Sequence, residues 1–101
     1  MADFVKVAET TEIPPGTGKT VTVNGNTIAL FNVDGTFYAI DNTCIHRGGP
    51  LGEGELSGKI VTCPWHGWQY DVTTGISTFN PMAKVACYQV KVEGNEIKVA
   101  C

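Results

Sequence analysis

The chain has no long apolar run, no excess of positive charge and no helical periodicity, and each absence removes a class of protein. No stretch approaches the roughly 20 apolar residues that a membrane-spanning helix needs. The start, Met1-Ala2-Asp3-Phe4-Val5-Lys6, has neither a basic opening nor an apolar core. No signal peptide is expected from it, and a cytoplasmic, monomeric protein with no membrane contact is the expectation. Seven Lys and Arg stand against ten Asp and Glu, a net charge of −3. That balance argues against nucleic acid as a partner, because phosphate binding wants a basic face. A weakly acidic surface suits instead a basic patch on another protein. No segment sustains a 3.6-residue apolar period, so helix should be nearly absent, with at most a turn around Arg47 to Leu51. Repeats, linkers and low-complexity tracts are missing too. With 101 residues, 43% of them hydrophobic, residues 1–101 are read as one domain with a modest core.

The residues that remain read as short strands between turns. Phe4 to Ala8 alternates and makes a first strand. Pro14-Pro15-Gly16-Thr17-Gly18-Lys19-Thr20 imitates the end of a phosphate-binding loop. The full pattern needs Gly where Ile13 stands, and the next segment, Thr20 to Asn24, alternates like a strand rather than opening a helix. A Pro/Gly loop entering a strand is the reading. Asn24-Gly25-Asn26 turns into a strand over Thr27 to Val33. Asp34-Gly35 is a two-residue hairpin signal, since both positions must accept positive φ, and Thr36 to Ile40 returns. Lys59 to Thr62, Trp68 to Val72, Val85 to Val92 and Glu96 to Ala100 complete the set. The fold class is all-β: an antiparallel sandwich or small barrel.

One stretch is different in kind. Cys44-Ile45-His46 is followed by 16 residues rich in glycine (Gly48, Gly49, Gly52, Gly54, Gly58), then by Cys63-Pro64-Trp65-His66. Two thiolates and two imidazoles form a mixed, soft ligand set suited to zinc or to an iron–sulfur centre. A 2Fe–2S centre with two Cys on one iron and two His on the other would be straddled by two loops that each give one Cys and one His. A tetrahedral zinc site would also accept these residues and leaves a zinc-stabilised structural module open, although zinc modules usually pair Cys with Cys and His with His. Cys87 and Cys101 remain, and free thiols are expected of them.

The run Cys44-Ile45-His46-Arg47-Gly48-Gly49-Pro50-Leu51-Gly52-Glu53-Gly54, with Cys63-Pro64-Trp65-His66-Gly67-Trp68-Gln69-Tyr70-Asp71, resembles the two cluster-binding loops of Rieske-type 2Fe–2S ferredoxins. The resemblance implies one 2Fe–2S cluster held in a subdomain over about residues 43–71. It implies Cys44 and Cys63 on a buried iron, with His46 and His66 on an outer, more exposed one. It implies a one-electron carrier between a flavin-containing NAD(P)H reductase and a terminal aromatic-ring oxygenase, not an enzyme by itself. A small subunit of an assimilatory nitrite reductase is the related alternative. High-potential members carry an extra Cys in each loop and a Ser near the sulfides; Gly49, Trp65 and Trp68 stand there instead. Tyr70 matches the Tyr that supports a cluster Cys. With fewer donors around the sulfurs, a potential on the order of −150 mV is expected.

The other residues near the motif divide between chemistry and packing. The glycines could bring bare N–H groups to the sulfurs or serve as turns; Gly67, beside His66, suggests close packing on the metal. Trp65 is read evenly as lying at the cluster's exposed edge or as plain packing, and Trp68 as packing. Arg47 is read as a salt-bridge partner before a docking residue. Pro81 is either the counterpart of the family's Pro loop, which the resemblance implies over a third side of the cluster, or an ordinary turn. Only His46 and His66 are available as imidazoles, so the mononuclear iron site of oxygenase large subunits cannot be built from this chain.

Overall fold

The computed structural model describes residues 4–23, 25–43, 50–65, 67–78 and 82–100. The described strands are β1 (Phe4–Glu9), β2 (Gly18–Val23), β3 (Asn26–Val33), β4 (Thr36–Asp41), β5 (Glu55–Ser57), β6 (Ile60–Thr62), β7 (Gln69–Asp71), β8 (Cys87–Glu93) and β9 (Glu96–Ala100), with short 3-10 turns at Thr10–Glu12 and Leu51–Glu53. Six strands in the order β1-β9-β8-β4-β3-β2 form a nearly closed, barrel-like antiparallel sheet, and β5-β6-β7 form a second sheet of three. The all-β expectation holds. Among the described residues no helix is long and apolar enough to cross a membrane.

Strand β3 explains how the two sheets are joined. Its run Ile28-Ala29-Leu30-Phe31 is buried without interruption, the pattern of a strand covered on both faces. Successive side chains point to opposite faces. Ile28 and Leu30 therefore join Ala8, Ile13, Val21, Val23, Ala39, Ile97 and Val99 inside the barrel. Ala29 and Phe31 point outward and join Ile40, Leu51, Val61, Cys63, Tyr70, Val72 and Val85 beneath the small sheet. Strand β4 divides in the same way, with Ala39 inside and Ile40 outside. The wall between barrel and subdomain is thus made of two strands buried on both sides.

Local chemistry sets the turns. Asp34 and Gly35 both take positive φ, 51° and 91°, and Val33 pairs with Thr36 across them, as the Asp-Gly signal requires. Asn32 reinforces this hairpin from its buried position: its Oδ1 accepts the Gly35 N–H at 2.7 Å, while its Nδ2 donates to the Ile13 carbonyl at 2.8 Å. The phosphate-loop imitation is an ordinary loop, and Gly18 already opens β2.

Three expectations need correction. Strand β5 lies within the glycine-rich run, paired Ser57 to Ile60 around a Gly58 with φ of 61°; its three-residue length gave too little alternation to see. The strand expected from Val85 begins at Cys87, because Val85 is turned into the outer core and its N–H donates to the Gly75 carbonyl at 2.8 Å. The turn near Arg47 to Leu51 falls at Leu51–Glu53; Arg47, Gly48 and Gly49 lie outside the described residues.

Candidate metal centre

Of the four expected ligands, Cys63 is described; Cys44, His46 and His66 lie outside the described residues. The bases of both ligand loops are nonetheless defined. The first leaves the barrel at the end of β4 and returns at Pro50. Thr43 and Pro50 face each other in an antiparallel bridge, and the Leu51 N–H donates to the Asn42 carbonyl at 2.7 Å. Six residues, 44–49, span that closed base. The second loop caps the β6–β7 hairpin. Thr62 pairs with Gln69, and the Cys63 N–H donates to the Trp68 carbonyl at 2.7 Å, which leaves residues 64–67 as the tip.

The two bases are neighbours. Leu51, just past the first loop, and Cys63, which opens the second, are buried in the same apolar cluster. Gly54 cements them: a Cβ there would run into the Thr62 carbonyl oxygen. Gly52 has a similar reason, since a Cβ would overlap Thr20 Oγ1. Both have negative φ and are glycine for closeness of packing, a role distinct from turn formation and from contact with the sulfurs. Gly67 is the reverse case. Its φ is 73°, and among the described residues a Cβ would meet nothing within 4 Å. Its demand is conformational.

Burial grades steeply along the second loop. Cys63 is 1% exposed, whereas Pro64, Trp65 and Gly67 are exposed. A thiol fixed at the inner end of a loop, beside the fully buried Tyr70 and Val61, fits a soft metal in an apolar setting. Trp65 stands 51% exposed, against plain packing for it, and Trp68 packs half-buried on the outer core, as expected. Pro81 lies outside the described residues, yet its flanks are informative. The Thr78 N–H donates to the Gln69 carbonyl at 3.0 Å and the Ser77 N–H to the Ala83 carbonyl at 2.8 Å. These bonds place the flanks, Ser77 and Thr78, beside β7.

Charge is unevenly distributed around this end. Lys6, Lys19, Lys91 and Lys98 pair with Glu9, Glu12, Glu93 and Glu96 on the barrel. Asp41, Glu53 and Glu55, which flank the first loop in sequence, have no ion-pair partner among the described residues. Asp71 closes the β7 side. Burial pushes its carboxyl upward, but the Thr73 hydroxyl and N–H, with Lys59 at 3.5 Å, outweigh this and hold it below its ordinary range. Cys87 is a free thiol; burial and then the Asp71 carboxylate raise its pKa, against Lys84, which lowers its thiolate fraction. Cys101 lies outside the described residues. What sequence reasoning missed here is Asn42. Its signal was a short amide at a strand end, two residues before Cys44, an expected ligand.

Residues 3–89 match the Rieske [2Fe-2S] domain, and the chain belongs to that family. It is 38% identical over 89 residues to the ferredoxin component of a naphthalene 1,2-dioxygenase system from Pseudomonas aeruginosa, covering 87% of this chain and 86% of that protein. A chain in the solved complex of reduced oxygenase and oxidized ferredoxin in carbazole 1,9a-dioxygenase is 33% identical, with a TM-score of 0.88 over 96% of this chain and 92% of that one. A nitrite reductase small subunit from Mycobacterium tuberculosis superposes with a TM-score of 0.91, covering 100% of this chain and 96% of that one, but at 23% identity it shares the fold alone. Family membership carries a 2Fe–2S cluster with it and displaces the zinc reading.

Proposed function

We propose that this chain is a one-electron carrier in which Cys44, His46, Cys63 and His66 hold one 2Fe–2S cluster. It takes its electron from a flavin-containing NAD(P)H reductase and delivers it to a terminal aromatic-ring oxygenase. When bound, such a cluster supplies reversible one-electron chemistry at low potential. The chain's own residues do the rest. Cys63 brings a thiolate to a place from which water is excluded, Tyr70 and Val61 wall that place, and the exposed Pro64, Trp65 and Gly67 present the neighbouring tip to a partner. The observation that carries the reading is the meeting of both loop bases in one apolar cluster with the Cys63 thiol buried inside it. On this reading the chain is a component of an enzyme system, not the catalyst. A basic docking patch on the oxygenase suits Asp41, Glu53 and Glu55.

The test is direct. Protein purified or reconstituted without oxygen should be reddish-brown, bind about two irons per chain and give a Rieske-type EPR signal when reduced. Cys63→Ser should abolish all three. A colourless, iron-free parent protein after reconstitution overturns the proposal. Stoichiometric co-purification with a large reductase subunit would instead favour the nitrite reductase alternative, since a carrier must leave its partners.

A further inference from the structure

The base of the first ligand loop converges on one residue that the cluster chemistry does not use. We propose that Asn42 is the positioning residue of that loop: its buried side chain locks the loop's entry and exit to the barrel and so sets the spacing between the two ligand pairs. This rests on the ligand assignment above.

Four hydrogen bonds meet at Asn42, from β2, β3 and the Leu51–Glu53 turn. Its Oδ1 accepts the Gly52 N–H at 2.7 Å and the Thr20 hydroxyl of β2 at 3.1 Å. Its carbonyl accepts the Leu51 N–H at 2.7 Å, and its own N–H donates to the Thr27 carbonyl of β3 at 3.2 Å. The two backbone bonds would survive any side chain, so the residue-specific part is Oδ1. That atom ties the returning limb to β2 in a place only 7% exposed, where a donor left unpaired is costly. The connection onward is stiff. Gly52 abuts Thr20, Leu51 shares a core with Cys63, and Gly54 abuts the residue before Cys63. A shift of Gly52 therefore carries the base of the second loop with it, relative to Asn42, where the first loop begins. The oxygen must also be neutral. A carboxylate would accept the same two bonds but add negative charge near the metal ligands, which disfavours an added electron.

The experiment compares the iron-loaded parent with Asn42→Leu and Asn42→Asp. It follows iron release to a chelator by loss of visible absorbance, the EPR lineshape, the midpoint potential, and hydrogen exchange of a peptide spanning residues 50–56. Losing the acceptor should speed release and exchange about tenfold and shift the EPR lineshape in Asn42→Leu. Asn42→Asp should keep the parent's release and exchange while its potential falls. Release and exchange within twofold of the parent in Asn42→Leu would overturn the proposal, as would failure of Asn42→Asp to restore them. If Asn42→Leu does not fold, Thr20→Val decides: it removes one donor at nearly constant size and should give about threefold faster exchange, whereas parental exchange overturns the clamp. A parent protein that binds no iron refutes the ligand assignment instead, and exchange over 50–56 then judges the clamp alone.

Discussion

Replacing Gly54 by alanine tests whether the two loop bases are packed as tightly as the structure shows. Gly54 has φ of −75° and ψ of 164°, ordinary extended backbone that alanine adopts freely. On chain entropy alone the substitution should stabilise by about 0.4–1 kcal/mol. Packing opposes this. The new Cβ would run into the Thr62 carbonyl and lie 3.0 Å from Val61 Cγ2 and 3.1 Å from the Leu51 carbonyl. Two of these three neighbours are backbone, and Thr62 is held between Glu55 on one side and Gln69 on the other, so no rotamer change relieves the contact. Overpacking of this kind costs about 1–3 kcal/mol and outweighs the entropy. The net loss should be about 1–2 kcal/mol, or roughly 4–12 °C in melting temperature for a domain of this size. Thermal and urea unfolding of the iron-free chain measure it without interference from the metal. Gly67→Ala is the control with the other mechanism: its cost is left-handed strain, about 1–2 kcal/mol, and Gly67→Asn should recover part of it because Asn tolerates that conformation. At Gly54, Asn should be worse than Ala. A Gly54→Ala protein as stable as its parent would refute the reasoning.

Asp71→Asn should cost about 1 kcal/mol at pH 7 and flatten the acid side of the stability profile. Because the folded carboxyl titrates below its ordinary value, its contribution is present above the unfolded pKa of about 3.9 and is lost as pH falls through the lowered folded value. The parent and variant curves should converge there, and urea midpoints that stay parallel down to strong acid would contradict the assignment. The midpoint potential of the loaded protein should fall on the order of −150 mV, and a value above about +100 mV contradicts the sparse donor set around the sulfurs. Trp65→Ala should leave unfolding within about 0.5 kcal/mol of the parent, since the ring is half exposed, yet slow electron delivery to an oxygenase in stopped-flow absorbance. Equal transfer rates would remove Trp65 from the docking surface.

Several features were legible because the physics behind them is local. Asp34-Gly35 demands positive φ at both positions, so the hairpin can be read from two letters. The strand over Thr27 to Val33 could be read from its run of strand-forming residues between two turn signals, although its burial on both faces came only from the structure. The Gly18-Lys19-Thr20 imitation could be dismissed because a strand pattern comes after it. By contrast, β5 was hidden, since three residues carry too little periodicity. The start of the strand expected from Val85 was wrong because a β-branched residue favours strand locally while the outer core recruits it for packing.

What the sequence alone determined is the candidate donor set, two Cys and two His in the order Cys-His, Cys-His, and that no long helix or apolar span competes with a β fold. Ligand identity and turn type depend on side chains and φ preferences within a few residues. Only the tertiary structure decided that the two loop bases touch, that Gly52 and Gly54 are glycines of contact, and that Asn42 gathers β2, β3 and both limbs of the first loop. Those facts depend on which atoms meet between separate segments of chain, the Asn42 side-chain bonds alone joining residues 10 and 22 apart, and such closeness is set by the shared burial of Phe31, Leu51, Val61 and Cys63, not by any local preference.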